Sequence, residues 1–193
     1  MKIDIILAGV GGQGILSIAT TIGYAAVKDG LFLKQAEVHG MSQRGGDVQS
    51  NLRISDEEIF SDLIPKGQAD LIISVEPMEA LRYLPILSEN GWVITNDQPF
   101  NNIPNYPAME EIMGELAKLP RKIVINADQI AKDLGSPRSA NMVILGAASP
   151  FLAMDYQKLE EAITAQFSRK GQEVVDVNIA ALRAGREFAL QNK

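Results

Sequence analysis

The chain has 193 residues and no cysteine. That single absence removes disulfides, thiolate zinc sites, cysteine-ligated iron–sulfur clusters and a cysteine nucleophile, since each takes its sulfur from the chain itself. Any redox centre this protein serves must therefore sit on another chain. Histidine occurs once, at His39, so no histidine pair exists for a metal, and no Gly-x-Ser-x-Gly turn announces a Ser–His–acid triad. Positive charge is also short: 18 Lys plus Arg face 24 Asp plus Glu, a net charge of -6. That balance neither neutralises nucleic-acid phosphates nor docks on an anionic membrane, and neither partner is expected. Long apolar runs are missing as well. The least polar stretch, Met142 to Met154, is interrupted by Gly146, Ser149 and Pro150 and falls short of the about 20 residues a span requires. The start of the chain has one basic residue, Lys2, and then an acid, Asp4, inside its apolar run, which is not a signal-peptide layout. The expected setting is cytoplasmic, without an anchor.

What remains is 46% apolar and 22% charged with a mean hydropathy of +0.01, the composition of a globular protein. The length suits one domain over 1–193, and no repeat or second core stands out. Short apolar runs alternate with amphipathic segments, which predicts a single three-layer α/β domain with a mostly parallel, Rossmann-like sheet and a helical C-terminal part. Strands are predicted over Ile3–Ala8, Phe32–Glu37, Val48–Ile54, Leu71–Val75, Trp92–Thr95 and Ile123–Ile125. Helices are predicted from Ile15 to Val27, buried on most sides, and over Met78–Leu87, the latter opened by Pro77 and stopped near Asn90-Gly91. Asp128–Leu134, Ala140–Ala148, Tyr156–Phe167 and Asn178–Leu190 also carry helical spacing, and Pro99 to Pro107 reads as loop. The late apolar residues Ile144, Leu145, Ala147, Ala148, Phe151 and Leu152 could fill the core or cover a contact surface.

Two segments carry most of the chemical information. Gly9-Val10-Gly11-Gly12-Gln13-Gly14 follows the first strand and opens the first helix, the context in which glycines let backbone N–H groups approach a phosphate at a helix N-terminus. The same glycines also suit a plain tight turn with close helix–sheet packing. A nicotinamide site wants an acid about 20 residues on, and Glu37 lies 23 beyond Gly14. The second segment, Glu37-Val38-His39-Gly40-Met41-Ser42-Gln43-Arg44-Gly45-Gly46-Asp47, joins two strands where a dinucleotide fold would place a helix. Its glycines and the donors His39, Gln43 and Arg44 fit a binding loop, with Arg44 able to grip a carboxylate or phosphate through two bonds. A lone histidine also serves as an ordinary hydrogen-bonded residue. A parallel sheet would gather Gly9–Gly14, Glu37 with its loop, Glu76, Asn96-Asp97 and Asn126 on its carboxyl edge. Glu76 suits a first-turn acid complementing the helix that follows it better than catalysis, and the pairs Glu57-Glu58, Glu110-Glu111 and Glu160-Glu161 suit solvated faces.

Gly11-Gly12-Gln13-Gly14-Ile15, the loop from Glu37 through Ser42 to Gly46, and Asn51-Leu52-Arg53-Ile54 together resemble the beta subunits of indolepyruvate ferredoxin oxidoreductases. More broadly, the chain is similar to the gamma module of thiamine-dependent 2-oxoacid:ferredoxin oxidoreductases. The likeness continues through Glu76-Pro77-Met78-Glu79-Ala80 to Asn141–Ala147. It implies a subunit of a complex that decarboxylates an arylpyruvate, passes the acyl group to coenzyme A and gives two electrons to ferredoxin. It further implies that thiamine diphosphate, magnesium and iron–sulfur clusters sit on a larger alpha subunit, and that this chain binds none of them alone and is inactive by itself. No catalytic residue and no metal ligand is then expected here. The residues facing a ligand or partner would be Gly9, Gly11, Gly12, Gln13, Gly14, Glu37, His39, Ser42, Gln43, Arg44, Gly45 and Gly46. A gamma subunit acting on pyruvate or 2-oxoglutarate, and a stand-alone nucleotide-binding protein, are the alternatives.

Overall fold

The computed structural model describes residues 1–39, 46–101 and 103–193, with only the backbone at His39. Its strands are β1 (Lys2–Val10), β2 (Phe32–His39), β3 (Asp47–Ser55), β4 (Ala69–Ser74), β5 (Leu87–Asn96) and β6 (Lys122–Ile125). They form one sheet in the order β2-β3-β1-β4-β5-β6. β1, β4, β5 and β6 run parallel, and β3 is antiparallel to both β1 and β2. β2 therefore points with β1, and β3 alone is reversed. The reversal follows from connectivity, because the seven residues between His39 and Asp47 are fewer than the dozen or so that a parallel crossover needs.

Side chains alternate across a strand, and β1 uses both faces. Ile3, Ile5 and Leu7 enter one apolar cluster, Ile6 and Ala8 the other. Burial on both sides explains why its sequence is a continuous apolar run rather than an alternation. The first cluster is covered by α1 (Ile15–Lys28), α4 (Ala127–Asp133), α5 (Ala140–Ala148), α6 (Tyr156–Phe167) and α7 (Gln172–Asn192). The second is covered by α2 (Pro77–Arg82) and α3 (Met109–Ala117). This makes three layers, thick on one side.

α5 is buried from Met142 to Ala148, so the apolar residues of that helix are core rather than contact surface. It has no polar face because α7 crosses directly on it. Gly146 and Gly185 form the crossing, where a Cβ would stand 2.0 Å from the Leu182 carbonyl oxygen and 1.9 Å from that of Val143. Phe151 stacks on Trp92 with centroids 4.4 Å apart.

The predicted helix over Met78–Leu87 is too long. α2 stops at Arg82, a 3-10 turn covers Leu84–Ile86, and β5 starts at Leu87. Pro85 lies in that turn, and proline inside a helix removes a donor and clashes with the carbonyl four residues back. Asn90-Gly91 lies inside β5, where Gly91 makes room for the Leu87 side chain and the Ala69 carbonyl. α7 starts at Gln172, six residues before the predicted boundary. α3 is not among the predicted elements, having only Ile112 and Leu116 fully buried. α1 leaves Leu16, Tyr24 and Val27 exposed, a wider open stripe than its sequence suggests.

Candidate functional site

The carboxyl edge of the sheet holds the unusual residues together. β1 runs into the glycine turn, where Gly12 and Gly14 have φ of +100° and +83°, values that favour glycine. Gly14 starts α1 without any side-chain cap, leaving first-turn N–H groups and the positive end of the helix dipole at the surface of the turn. Asn141 of α5 donates to the Gly14 carbonyl at 3.1 Å, and a Cβ on Gly14 would come within 2.5 Å of that amide. Gln13 folds inward, its Oε1 accepting from the Val10 N–H at 2.8 Å. Its amide group thus braces the turn. Gly9 lies against Val75, where a Cβ would meet Cγ2 at 2.4 Å.

The second motif reaches the same edge. His39 aligns with Val48, which aligns with Gly9, and the Gly11 N–H donates to the Gly46 carbonyl at 2.9 Å. Gly40, Met41, Ser42, Gln43, Arg44 and Gly45 lie outside the described residues. Glu37 does not stand where a nicotinamide ribose would need it. Sheet order puts β3 between β2 and β1, so Glu37 is two strand spacings, about 10 Å, from the strand that carries the glycine turn.

The other edge residues act as braces. Glu76 is wholly buried. It caps α2 by accepting from the Glu79 N–H at 2.8 Å, and it also accepts from the Phe100 N–H at 3.4 Å and from the Tyr106 hydroxyl. Asn96 donates to Asp128 at 2.6 Å and accepts from the Ala127 N–H at 3.0 Å, and Asn126 caps α4 through the Gln129 N–H at 2.9 Å. The Asn51–Ile54 motif is scaffold too. Asn51 Oδ1 accepts from the Ile64 N–H at 3.1 Å, and Arg53 grips the buried Asp4 carboxylate at 2.7 and 3.1 Å while donating to the carbonyls of Ser61 and Leu63.

Glu79 is the one carboxyl here whose burial outweighs its partner. Burial pushes its pKa above the ordinary 4.5, against the pull of Arg82 at 2.8 Å. Burial, with Asp47 and Glu79 near, likewise pushes the Tyr83 hydroxyl up to about 12. The folded chain thus holds the Glu79 proton more tightly than the unfolded chain. Stability is expected to fall as pH climbs from about 4.5 through the raised value. In Glu79→Gln that decline should flatten, which urea midpoints across the acid range would read directly.

On the α1, α5 and α7 side of the edge opens a cleft of about 660 Å³, lined by Gly12, Gln13, Gly14, Ser17, Asn141 and Asn178, with Arg138 and Lys170 among its walls. Both cations are exposed, and among the described residues neither makes an ion pair; Lys170 rests over the Phe167 ring at 5.3 Å. An uncapped helix N-terminus facing free cations suits a phosphorylated ligand. The pattern does not predict Arg138 or Lys170 as site residues, since each sits in a short 3-10 turn without a motif. The available signal is the Gly135-Ser136-Pro137 break beside Arg138. Among the described residues no group of three or more His, Cys, Asp or Glu could hold a metal ion, and no helix is long and apolar enough to cross a membrane.

A family model for pyruvate ferredoxin/flavodoxin oxidoreductases matches residues 4–188. The chain belongs to that family. It is 40% identical to the indolepyruvate oxidoreductase subunit IorB of Archaeoglobus fulgidus, covering 100% of this chain and 98% of that one. A keto/oxoacid ferredoxin oxidoreductase gamma subunit from Geobacter sulfurreducens PCA superposes with a TM-score of 0.72 at 26% identity, covering 98% and 99% of the two chains. The 2-oxoglutarate:ferredoxin oxidoreductase of Magnetococcus marinus, solved with 2-oxoglutarate, coenzyme A and succinyl-CoA bound, gives a TM-score of 0.78 at 25% identity; the match covers 98% of this chain and 31% of that one. The family resemblance read from the sequence is borne out, as is the mostly parallel α/β fold.

Proposed function

We propose that this chain is the small, non-redox subunit of a cytoplasmic indolepyruvate:ferredoxin oxidoreductase, a complex that converts an arylpyruvate to its acyl-CoA and carbon dioxide and passes two electrons to ferredoxin. The full-length identity to an indolepyruvate subunit supports the substrate. The residues do not suit the hard chemistry: no cysteine is available for a cluster, and no Gly-Asp-Gly signature for magnesium pyrophosphate is present. Thiamine diphosphate, magnesium and iron–sulfur clusters accordingly belong to a larger alpha subunit. The observation that carries this chain's own role is the cleft where the open α1 N-terminus meets Arg138 and Lys170. It offers coenzyme A phosphates a seat beside the glycine turn, which Gly46 joins through the Gly11 N–H, and Glu37, His39 and Gly46 are read as the side that meets the large subunit. Covering the reacting centre would exclude water from the carbanion-like intermediate and delay its protonation.

The test is the complex reconstituted with its large subunit, assayed by viologen or ferredoxin reduction with indolepyruvate, pyruvate and 2-oxoglutarate, with and without coenzyme A. Arg138→Ala and Lys170→Ala should each raise the coenzyme A KM by roughly tenfold, about 1.4 kcal/mol, with kcat changed little, the pattern of lost uniform binding. Arg44→Ala should impair coenzyme A dependence or assembly. Turnover by the isolated chain would sink the subunit reading, and unaltered KM in all three variants would remove coenzyme A from this edge. A nicotinamide enzyme is disfavoured because β3 separates Glu37 from the glycine turn.

A further inference from the structure

The two edges of the sheet are built differently. β6 has four residues and opens with Lys122, whose ammonium donates to the carbonyls of Ala117 and Leu119 at 3.1 and 2.8 Å. Short, lysine-bearing edges of this kind resist pairing with another sheet. β2 runs eight residues in unbroken register with β3, from Phe32 opposite Ser55 to His39 opposite Val48. It holds no proline, and its one lysine, Lys34, is matched by Asp62 at 3.3 Å.

The flanks of β2 are just as open. Leu33 touches Gly23 of α1, so odd-numbered residues of β2 face that helix and even-numbered ones face away. α1 bears no charge before Lys28, yet Leu16, Tyr24 and Val27 share one exposed face, Val27 at 61%. On the opposite side of the strand Phe32 and Val38 are 50% and 56% exposed. A helix face without charge beside a strand whose outer edge no other strand covers among the described residues is an interface composition, not a solvated one.

We propose that a second copy of this chain pairs along β2, antiparallel about a two-fold axis normal to the sheet, joining two six-stranded sheets into one. Such an axis keeps each face on its own side, so residues opposite one another share parity. Centring it on Gln35 sets each Phe32 against the other copy's Val38, twice, and no neighbouring register pairs these two. The strand is about 27 Å long and strand plus helix layer about 20 Å tall. The projected face is roughly 550 Å², which side-chain relief carries toward the about 800 Å² per partner of a standard interface.

The full chain is expected to sediment at twice its 21.0 kDa, and Val38→Lys to weaken the dimer at least tenfold with an unchanged far-UV circular dichroism spectrum. Because the chain has no cysteine, Gln35→Cys places a single thiol on the axis. It should cross-link to a dimer through a short bis-maleimide, whereas Glu89→Cys on β5 should not. A monomer at every concentration overturns the proposal. So does a dimer indifferent to Val38→Lys that Gln35→Cys fails to trap. So too does a β2 whose amides gain protection from deuterium exchange only when the large subunit is added, which would assign the edge to that partner.

Discussion

Arg53→Ala is expected to lower stability by about 3 kcal/mol, among the largest losses available from one side chain away from the hydrophobic core. Asp4 lies in the middle of the sheet with its carboxylate buried, and Arg53, directly opposite it on β3, supplies two hydrogen bonds. Removing the guanidinium leaves a buried charge with a weaker partner, which costs roughly 3–5 kcal/mol in general. Lys2 also touches Asp4 at 2.9 Å from a half-exposed position and holds the figure near the lower end. The loss extends beyond the ion pair, since Arg53 also donates to the carbonyls of Ser61 and Leu63 and so fixes the segment that returns to β4. For a chain of this size about 3 kcal/mol corresponds to a midpoint roughly 6–12 °C lower. Replacing both charges, as in Asp4→Leu with Arg53→Met, should recover much of the loss, because an apolar pair of similar volume is often neutral relative to a buried ion pair. A penalty below about 1 kcal/mol in urea unfolding would mean that water reaches Asp4 and that Arg53 serves something other than the fold.

How far the sequence discloses this structure depends on how local each signal is. β1 and β4 are legible because burial on both faces writes a continuous apolar run, as in Ile5-Ile6-Leu7-Ala8 and Leu71-Ile72-Ile73. Pro77 is legible as a helix start; Glu76 reads as a first-turn acid of that helix, and the structure makes it the N-cap one residue earlier. Running one helix over Met78–Leu87 passes over Pro85, eight residues after the start at Pro77, whereas the chain has already left the helix at Arg82. The carboxyl edge is legible as a set of positions, since a parallel sheet collects its strand ends. The roles along it are not, because whether Gln13 points out to a ligand or back to Val10 depends on a turn geometry that no spacing encodes. The reversed β3 breaks the dinucleotide reading at Glu37. Arg138 and Lys170 join the cleft only through tertiary packing, from turns distant in sequence, and nothing near them marks a site.

Gly146→Ala and Gly185→Ala should each destabilise the chain by about 3 kcal/mol, although alanine is the better helix former by about 1 kcal/mol. The sign decides between propensity and packing. At Gly146 the added methyl would sit 2.0 Å from the Leu182 carbonyl oxygen and 3.0 Å from the Arg186 nitrogen. These are backbone atoms of the facing helix, so no side chain can swing aside and the helices must part. Parting them loosens close packing along α5, whose residues from Met142 to Ala148 are buried. Gly114 in α3 is the internal control. Nothing lies within 4 Å of its missing methyl, so Gly114→Ala should hold or gain up to about 1 kcal/mol. Both crossing glycines report one separation, so the double variant should lose clearly less than the sum of the singles. The effect should also reach the cleft, because Asn141 on α5 holds the Gly14 carbonyl and moves with its helix. Weakened coenzyme A binding in a still-folded Gly185→Ala complex would show that this crossing sets the glycine turn. If Gly146→Ala instead melted at or above the parent temperature, the two backbones could not be in contact, and the turn would have to be held from β1 alone.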